Sequence, residues 1–245
     1  MLVLARDEAE EGLWLSAGRQ TAGRGRQGRA WSSPTGNVSA TTLVRLRPTD
    51  PPAATLALVA AVALHEVVAL YLPSSFAGYA GSSLSQWERE GAPQARKGED
   101  SPLRLKWPND LLLHGAKLSG ILLERAGEAV VIGIGVNLAH HPDLPDRPTT
   151  SLVAHGVAID PAAFVETLAE TFARWLARWR GQGIAPVRAA WLAAAHPPGT
   201  ALTARLPDGT AFDGLFDGLD PDGALILRLA SGERRVIHAA DVFLL

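Results

Sequence analysis

The chain is 245 residues long, 47% hydrophobic, with 23 Lys and Arg against 25 Asp and Glu and no cysteine. That length suits one large domain, or one with a small appendage, and the apolar share excludes global disorder. A net charge of −2 excludes a bulk polyanion binder, and the missing cysteine excludes disulfides, a thiol nucleophile, thiolate zinc sites and cysteine-ligated clusters.

In chain order, residues 2–11 read as a short helix stopped by Gly12, without a Ser, Thr or Asp cap at its start. The N-terminus turns acidic too soon for a signal peptide, so a cytoplasmic protein is expected. Leu13–Ala17 and Val38–Leu46 read as strands on either side of a Gly/Arg/Ser loop. Ala53–Leu72 matches a membrane span in length, but His65 and Glu66 interrupt it and Ala dominates, so a buried core helix is expected and no membrane partner. The pair also begins a zincin-like pattern that stops at Ala69. Residues 73–102, polar and without periodicity, read as a long mobile loop.

Next, Leu103, Leu105 and Trp107 alternate with Arg104 and Lys106, placing the two cations on the opposite face of a strand. A turn at His114–Gly115 leads to strands over 117–124 and 129–138, a hairpin-like run that suggests an antiparallel or mixed sheet. His140 and His141 have no second pair at ligand spacing and read as loop residues. Asp160–Pro161 starts a helix with Phe164, Leu168, Phe172, Trp175, Leu176 and Trp179 on a core-facing stripe and Glu170–Arg174 as an i,i+4 pair. After Pro197–Pro198–Gly199 short alternating strands and Asp-Gly turns predict a small β-barrel or sandwich over 198–245, behind a larger unit over 1–197. Asp217, Asp220 and Asp222 lack calcium-loop spacing and read as turn residues.

The sharpest feature is GRQTAGRGRQGRAW, residues 18–31, where Arg19, Arg24, Arg26 and Arg29 alternate with Gly23, Gly25 and Gly28 and no acid intervenes. Glycine lets a backbone approach an anion and arginine offers bidentate donors, so a phosphate-containing ligand is expected. The glycines satisfy G-x-G-x-x-G, but the Ser-Ser-Pro-Thr-Gly that follows opens no helix; Arg29–Ala30 stands where a P-loop needs Lys–Ser/Thr. A basic surface loop without a ligand, or a contact to nucleic-acid phosphates, remains the alternative on composition alone.

Together with KWPNDLLL (106–113), KLSGILLE (117–124) and GIGVNL (133–138), this loop makes an ordered set that resembles the biotin protein ligases over nearly the whole chain. The resemblance implies an α+β fold: a mixed, largely antiparallel sheet flanked by helices, followed by a small SH3-like β-barrel. It implies an enzyme that makes biotinyl-5′-AMP from biotin and Mg-ATP and passes biotin to a lysine on the biotin carboxyl carrier protein of acetyl-CoA carboxylase. ATP, Mg2+ and biotin come as substrates, with no tightly bound cofactor and no metal held by the protein alone. By the same resemblance Lys117 contacts the biotin carboxylate and the phosphate, with Arg26 as its partner. Gln20, Gly23, Arg24, Gly25 and Gly120 border biotin; Arg29, Trp31, Lys106, Asn109, Asp110 and Asn137 lie on the ATP side, Asn137 near adenine. Gly120 and Gly135 let ligand lie close to the strands. A loop that closes over a water-sensitive acyl-adenylate is expected to be mobile when empty.

Two departures from the pattern stand out. Members of the family carry a strand ending in Ser-Thr-Asn upstream of the position of Gln20, which binds the biotin ureido group, and the sequence begins too late to include it. Either the true start lies upstream, or the pocket is incomplete at a cost of about 1–3 kcal/mol per unpaired buried donor. The other is the length of the 73–102 loop. With no room for an N-terminal DNA-binding module, DNA is not expected as a partner; a homodimer is allowed. The competing readings are a binding protein without turnover and a lipoate ligase or octanoyl transferase of the same fold.

Overall fold

The computed structural model describes residues 1–73 and 101–245. The expected loop over 73–102 lies, apart from its ends, outside the described residues, as does Lys97.

Helix α1 (Leu2–Arg6) is followed by β1 (Trp14–Ser16), β2 (Val38–Arg45) and α2 (Leu56–Tyr71). Strands β3 (Leu103–Lys106), β4 (Asp110–Leu113), β5 (Ala116–Ala126) and β6 (Ala129–Val136) come next, then α3 (Pro161–Gln182) and α4 (Ala185–Ala194). Helix α1 is shorter than expected because Glu8 takes φ 60°, a conformation no helix continues through. The expected helix over 53–72 opens with a 3-10 turn at Ala53–Thr55.

Strands β1 to β6 form one sheet in the order β1-β2-β6-β5-β4-β3. Every neighbouring pair is antiparallel, so the parallel strands of a mixed sheet are absent among the described residues; parallel pairing survives only as the isolated bridges Leu105↔Ala195 and Lys117↔Thr149. The register follows from short hairpin connections, which favour antiparallel neighbours.

One face of this sheet carries the core. Helix α2 is buried nearly all round because it lies between the sheet and the other two long helices. Together with the 3-10 turn before it, the helical segment Ala53–Tyr71 is long and apolar enough to cross a membrane, yet its alanines serve close packing here. Asp160 caps α3 by accepting a hydrogen bond from the Ala163 N–H, with Pro161 in the first turn. The predicted stripe of α3 is buried, Phe164 and Trp179 fully, each contributing about 1.5–3 kcal/mol by leaving water. Trp179 donates its indole N–H to Thr55 Oγ1 at 2.8 Å. Arg174 does not pair with Glu170. It reaches Glu66 on α2 at 2.8 Å, where Trp175 donates to the other carboxylate oxygen, so a tertiary partner displaces the local one. Arg180 binds Glu11, Asp50 and the Arg45 carbonyl, tying α3 to the β2 end of the sheet.

A second sheet holds β7 (Ala201–Arg205), β8 (Ala211–Leu219), β9 (Leu225–Arg228), β10 (Arg234–Ile237) and β11 (Asp241–Leu244), in the order β10-β9-β8-β7-β11. It is open, with β10 and β11 as its edges, where a closed barrel was expected. Asp220 shapes the turn as expected, but Asp217 lies within β8 and pairs with Arg228 and Arg234.

Candidate active site

The opposite face of the six-stranded sheet forms the floor of a cavity of about 810 Å3. That volume suits a drug-sized or nucleotide-sized ligand. Floor residues from the middle of the sheet include Thr41, Gly120, Leu122, Gly133 and Gly135; loop 20–32 and strand β11 of the second sheet wall it in. All thirteen residues that the motifs nominate line this one cavity: Gln20, Gly23, Arg24, Gly25, Arg26, Arg29, Trp31, Lys106, Asn109, Asp110, Lys117, Gly120 and Asn137.

Lys117 reaches the floor because of an irregularity in β5. Leu111 pairs with Ser119 but Leu112 pairs with Lys117, so one extra residue sits in β5 at Leu118. Leu118 and Ile121, three apart, both enter the core, whereas Lys117 and Gly120, also three apart, both line the cavity. Strict alternation would send Lys117 to the helix side; the bulge turns it round.

At the floor, Asp110 stands between two ammonium groups. Its Oδ1 lies 2.5 Å from Lys117 Nζ and its Oδ2 lies 3.0 Å from Lys106 Nζ. Burial alone would raise the Asp110 pKa, but Lys117 and Lys106 outweigh it and hold the carboxyl below its ordinary value. Burial pushes the Lys117 pKa below that of a free lysine, and Asp110 opposes the shift. Two ammoniums and one carboxylate leave one positive charge over, aimed at the cavity. Arg104, on the same face of β3 as Lys106, is buried and donates to the Ala195 carbonyl at 3.0 Å. Asn109 donates to Ile121 O at 2.5 Å, and Asn137, 2% exposed, donates to Thr150 O at 3.1 Å; both amides hold strands and loop together around the cavity.

The glycine–arginine loop folds as a small hairpin over this floor. Gly25 N–H donates to Arg29 O at 2.7 Å, Trp31 N–H donates to Gly23 O at 2.9 Å, and Arg24 bridges Ala30. A side chain at Gly23 would meet Trp31 O at 2.4 Å, so glycine is required for that fold-back. Gln20 accepts from Ser33 Oγ, which itself accepts from Ser39 Oγ, fixing the base of the loop to β2. Trp31 lays its indole on Gly135, with Lys117 Nζ 5.7 Å from the ring centroid.

The cavity also has contributors that the motifs did not nominate. Asp241, on β11, forms a charge-assisted hydrogen bond with Arg29 and stands 3.8 Å from Arg26, whose Nη1 donates to Ala240 O at 3.1 Å. Lys106 donates to Val242 O at 2.9 Å and Trp107 to Gly223 O at 3.1 Å, so the second sheet is bolted to the first around the site. Arg147 lines the opposite side, paired with Asp146 at 2.5 Å, and it feels the charges of Asp110 and Asp241. No local sequence pattern marks Asp241 or Arg147; each is one charged residue in a segment far from the motifs. Among the described residues no group of three or more His, Asp and Glu stands at metal-binding distance.

Residues 4–137 match the biotin/lipoate A/B protein ligase family, and residues 200–245 match the biotin protein ligase C terminal domain. A biotin–[acetyl-CoA-carboxylase] ligase of Paracoccus denitrificans is 42% identical over 94% of this chain and 89% of its own length. A bifunctional ligase/repressor of Bacillus subtilis is 33% identical over 98% of this chain and 68% of its own. Among solved structures, the biotin protein ligase of Aquifex aeolicus in complex with biotin and ATP superposes with a TM-score of 0.76 at 20% identity, covering 99% of this chain and 94% of that one. The Leishmania major enzyme in complex with biotinyl-5-AMP superposes with a TM-score of 0.60 at 25% identity, over 97% and 94% of the two chains.

Proposed function

The chain belongs to the biotin/lipoate A/B protein ligase family, and from that premise we propose that the cavity over the six-stranded sheet is where it works. The protein is a biotin protein ligase. The biotin carboxylate attacks the α-phosphorus of ATP, forming biotinyl-5′-AMP and releasing pyrophosphate. The amine of a carrier-protein lysine then attacks the acyl carbon, forming an amide and releasing AMP and a proton.

The first step brings two anions together. At about 4 Å in a partly buried site such a pair repels by about 4 kcal/mol, so fixed positive charge at the junction lowers the barrier. The observation that carries the reading is the Lys106–Asp110–Lys117 triad, its carboxylate buried and its two ammoniums part-buried, which lines one glycine-floored cavity together with Arg26 and Arg29. In this reading Lys117 bridges the biotin carboxylate and the α-phosphate, and Arg26 approaches from the loop. The glycines at 120 and 133 and Leu122 give the biotin chain an apolar bed, and Gln20 with the backbone of 23–25 closes its side. Arg29, Trp31 and Lys106 take the nucleotide side, with Asn109 bracing the floor through its bond to Ile121 O. Mg2+ enters with ATP as part of the substrate. Asn137 acts by holding the 148–152 segment against the site, since its amide is already committed to Thr150 O. The acceptor is a biotin carboxyl carrier protein.

Biotin-dependent exchange of pyrophosphate into ATP tests this directly. We expect exchange that requires biotin and is unmoved by lipoate. Exchange driven by lipoate would replace the substrate assignment, and tight biotin binding without exchange would make the protein a binder.

A further inference from the structure

Gly135 sits in the middle of β6, paired with Ser39 on one side and Gly120 on the other. Its φ is not positive, so no backbone conformation demands glycine there. Glycine in a strand interior weakens the strand, which calls for a compensating reason. The reason is contact: a Cβ at 135 would lie 2.5 Å from Trp31 Cε2 and Nε1 and 2.7 Å from Cζ2. The neighbouring floor glycine differs. A Cβ at Gly133 would meet only Leu122, at 3.8 and 4.0 Å, which is ordinary packing.

We propose that Gly135 is a positioning residue for the nucleotide, acting through Trp31 rather than by leaving space for a ligand on the strand. This rests on the reading of the cavity as the biotin and ATP site, with Trp31 on its nucleotide side. The strand cannot give way, because its backbone is paired on both edges. The Trp31 main chain is held by its bond to Gly23 O and by the Arg24–Ala30 bridge. A methyl group at 135 therefore lifts the indole. Carbon atoms pack at about 3.5–4.0 Å, so the ring moves by about an ångström into the cavity. One face of the indole rests on the sheet; the other is the platform available to a flat base, and it moves with the ring. The same displacement carries the ring relative to Lys117 Nζ, 5.7 Å from its centroid.

Gly135→Ala, Trp31→Ala and the double variant, measured in biotin-dependent pyrophosphate exchange, test the proposal. Misplacing a binding group by an ångström costs on the order of tenfold to a hundredfold, so Gly135→Ala should raise the KM for ATP about tenfold or more. The KM for biotin should change by less than about twofold. In the Trp31→Ala background the glycine substitution should add almost nothing, because its penalty is transmitted by the ring. Penalties that multiply in the double variant would overturn the proposal, as would a rise in the KM for biotin with that for ATP unmoved.

A readout without substrates keeps the contact separable from the ligase reading. Tryptophan emission should change on Gly135→Ala, should not change on Gly133→Ala, and should be indifferent to Gly135→Ala in a Trp31→Phe background. Unchanged emission in Gly135→Ala overturns the contact. A wild-type chain without biotin-dependent exchange, but with these emission changes, overturns the ligase reading instead.

Discussion

Replacing Asp110 by asparagine and Lys117 by methionine separates the structural and the chemical duties of the triad. Asp110→Asn keeps the shape and removes the anion that both lysines share, leaving two ammoniums, each with a side chain 17% exposed, without their counter-ion. Removing one partner from a buried ion pair costs about 3–5 kcal/mol, a large part of a typical stability of about 5–15 kcal/mol. Lys117→Met leaves Asp110 with Lys106 at 3.0 Å, an even pair, so its stability should stay within about 1 kcal/mol of the parent. Its exchange activity should nevertheless fall by about a hundredfold or more, the scale for one electrostatic stabiliser at a reacting centre. Urea unfolding at neutral pH and biotin-dependent exchange measure the two quantities. The stability gap between Asp110→Asn and parent has a defined pH window. The folded pKa of Asp110 is held below its ordinary 3.8, so the stabilisation is present above about pH 4 and lost as pH falls through the folded value. A Lys117→Met variant that unfolds as readily as Asp110→Asn, or an Asp110→Asn variant with full stability and exchange, would refute this division of duties.

Asp241→Asn weakens the hold on Arg29, while Arg26 keeps its bond to Ala240 O; the Arg29 side chain is 41% exposed, so about 1 kcal/mol of positioning is lost and the KM for ATP should rise about fivefold. A KM for ATP that falls would mean Asp241 competes with the nucleotide instead. His65 on α2 has its pKa lowered by burial to about 4, against 6.5 when unfolded. The unfolded chain binds the extra proton first, so stability drains as pH falls from about 6.5 towards 4; His65→Leu should remove about 2–3 kcal/mol of that acid loss at pH 4.5, read by urea melts across pH. Arg180→Met strands the Glu11 and Asp50 carboxylates together, and urea melts should show a loss of about 3 kcal/mol with catalytic KM values unchanged. Lys117 titrates below a free lysine, so exchange should decline on the alkaline side before pH 10.5, and Lys117→Arg should abolish that decline.

The cavity was legible in the sequence wherever local composition carries chemistry. Glycines between arginines, and lysines in short fixed motifs, single out a candidate anion site whatever surrounds them, and the fold brings them to one cavity. Helix α3 was legible for a similar reason, because its aromatic period and Asp-Pro start are local signals. What was hidden depends on partners far along the chain. Glu170 is the near neighbour of Arg174, but Glu66 offers a carboxylate that also satisfies Trp175, and no spacing rule sees that. The bulge at Leu118 adds one residue without any glycine or proline to mark it, so plain alternation misassigns the face of Lys117. Gly135 looks like room for a ligand until Trp31 is found lying on it.

The bolts between the two sheets have a bearing on how the protein acquires its site. Arg26 meets Ala240 across 214 positions, Arg29 meets Asp241 across 212, and Lys106 meets Val242 across 136. Contacts of such separation are slow to form, since the entropy of closing the loop is lost before the contact repays it. Hairpins β3–β4 and β5–β6, by contrast, need only short connections. We therefore predict that the β3–β4 and β5–β6 hairpins, with the triad they carry, form first and that the roof forms last, when β11 arrives against the loop arginines. Refolding followed by ATP-site fluorescence should lag behind refolding followed by backbone signal, and Asp241→Asn should widen the interval.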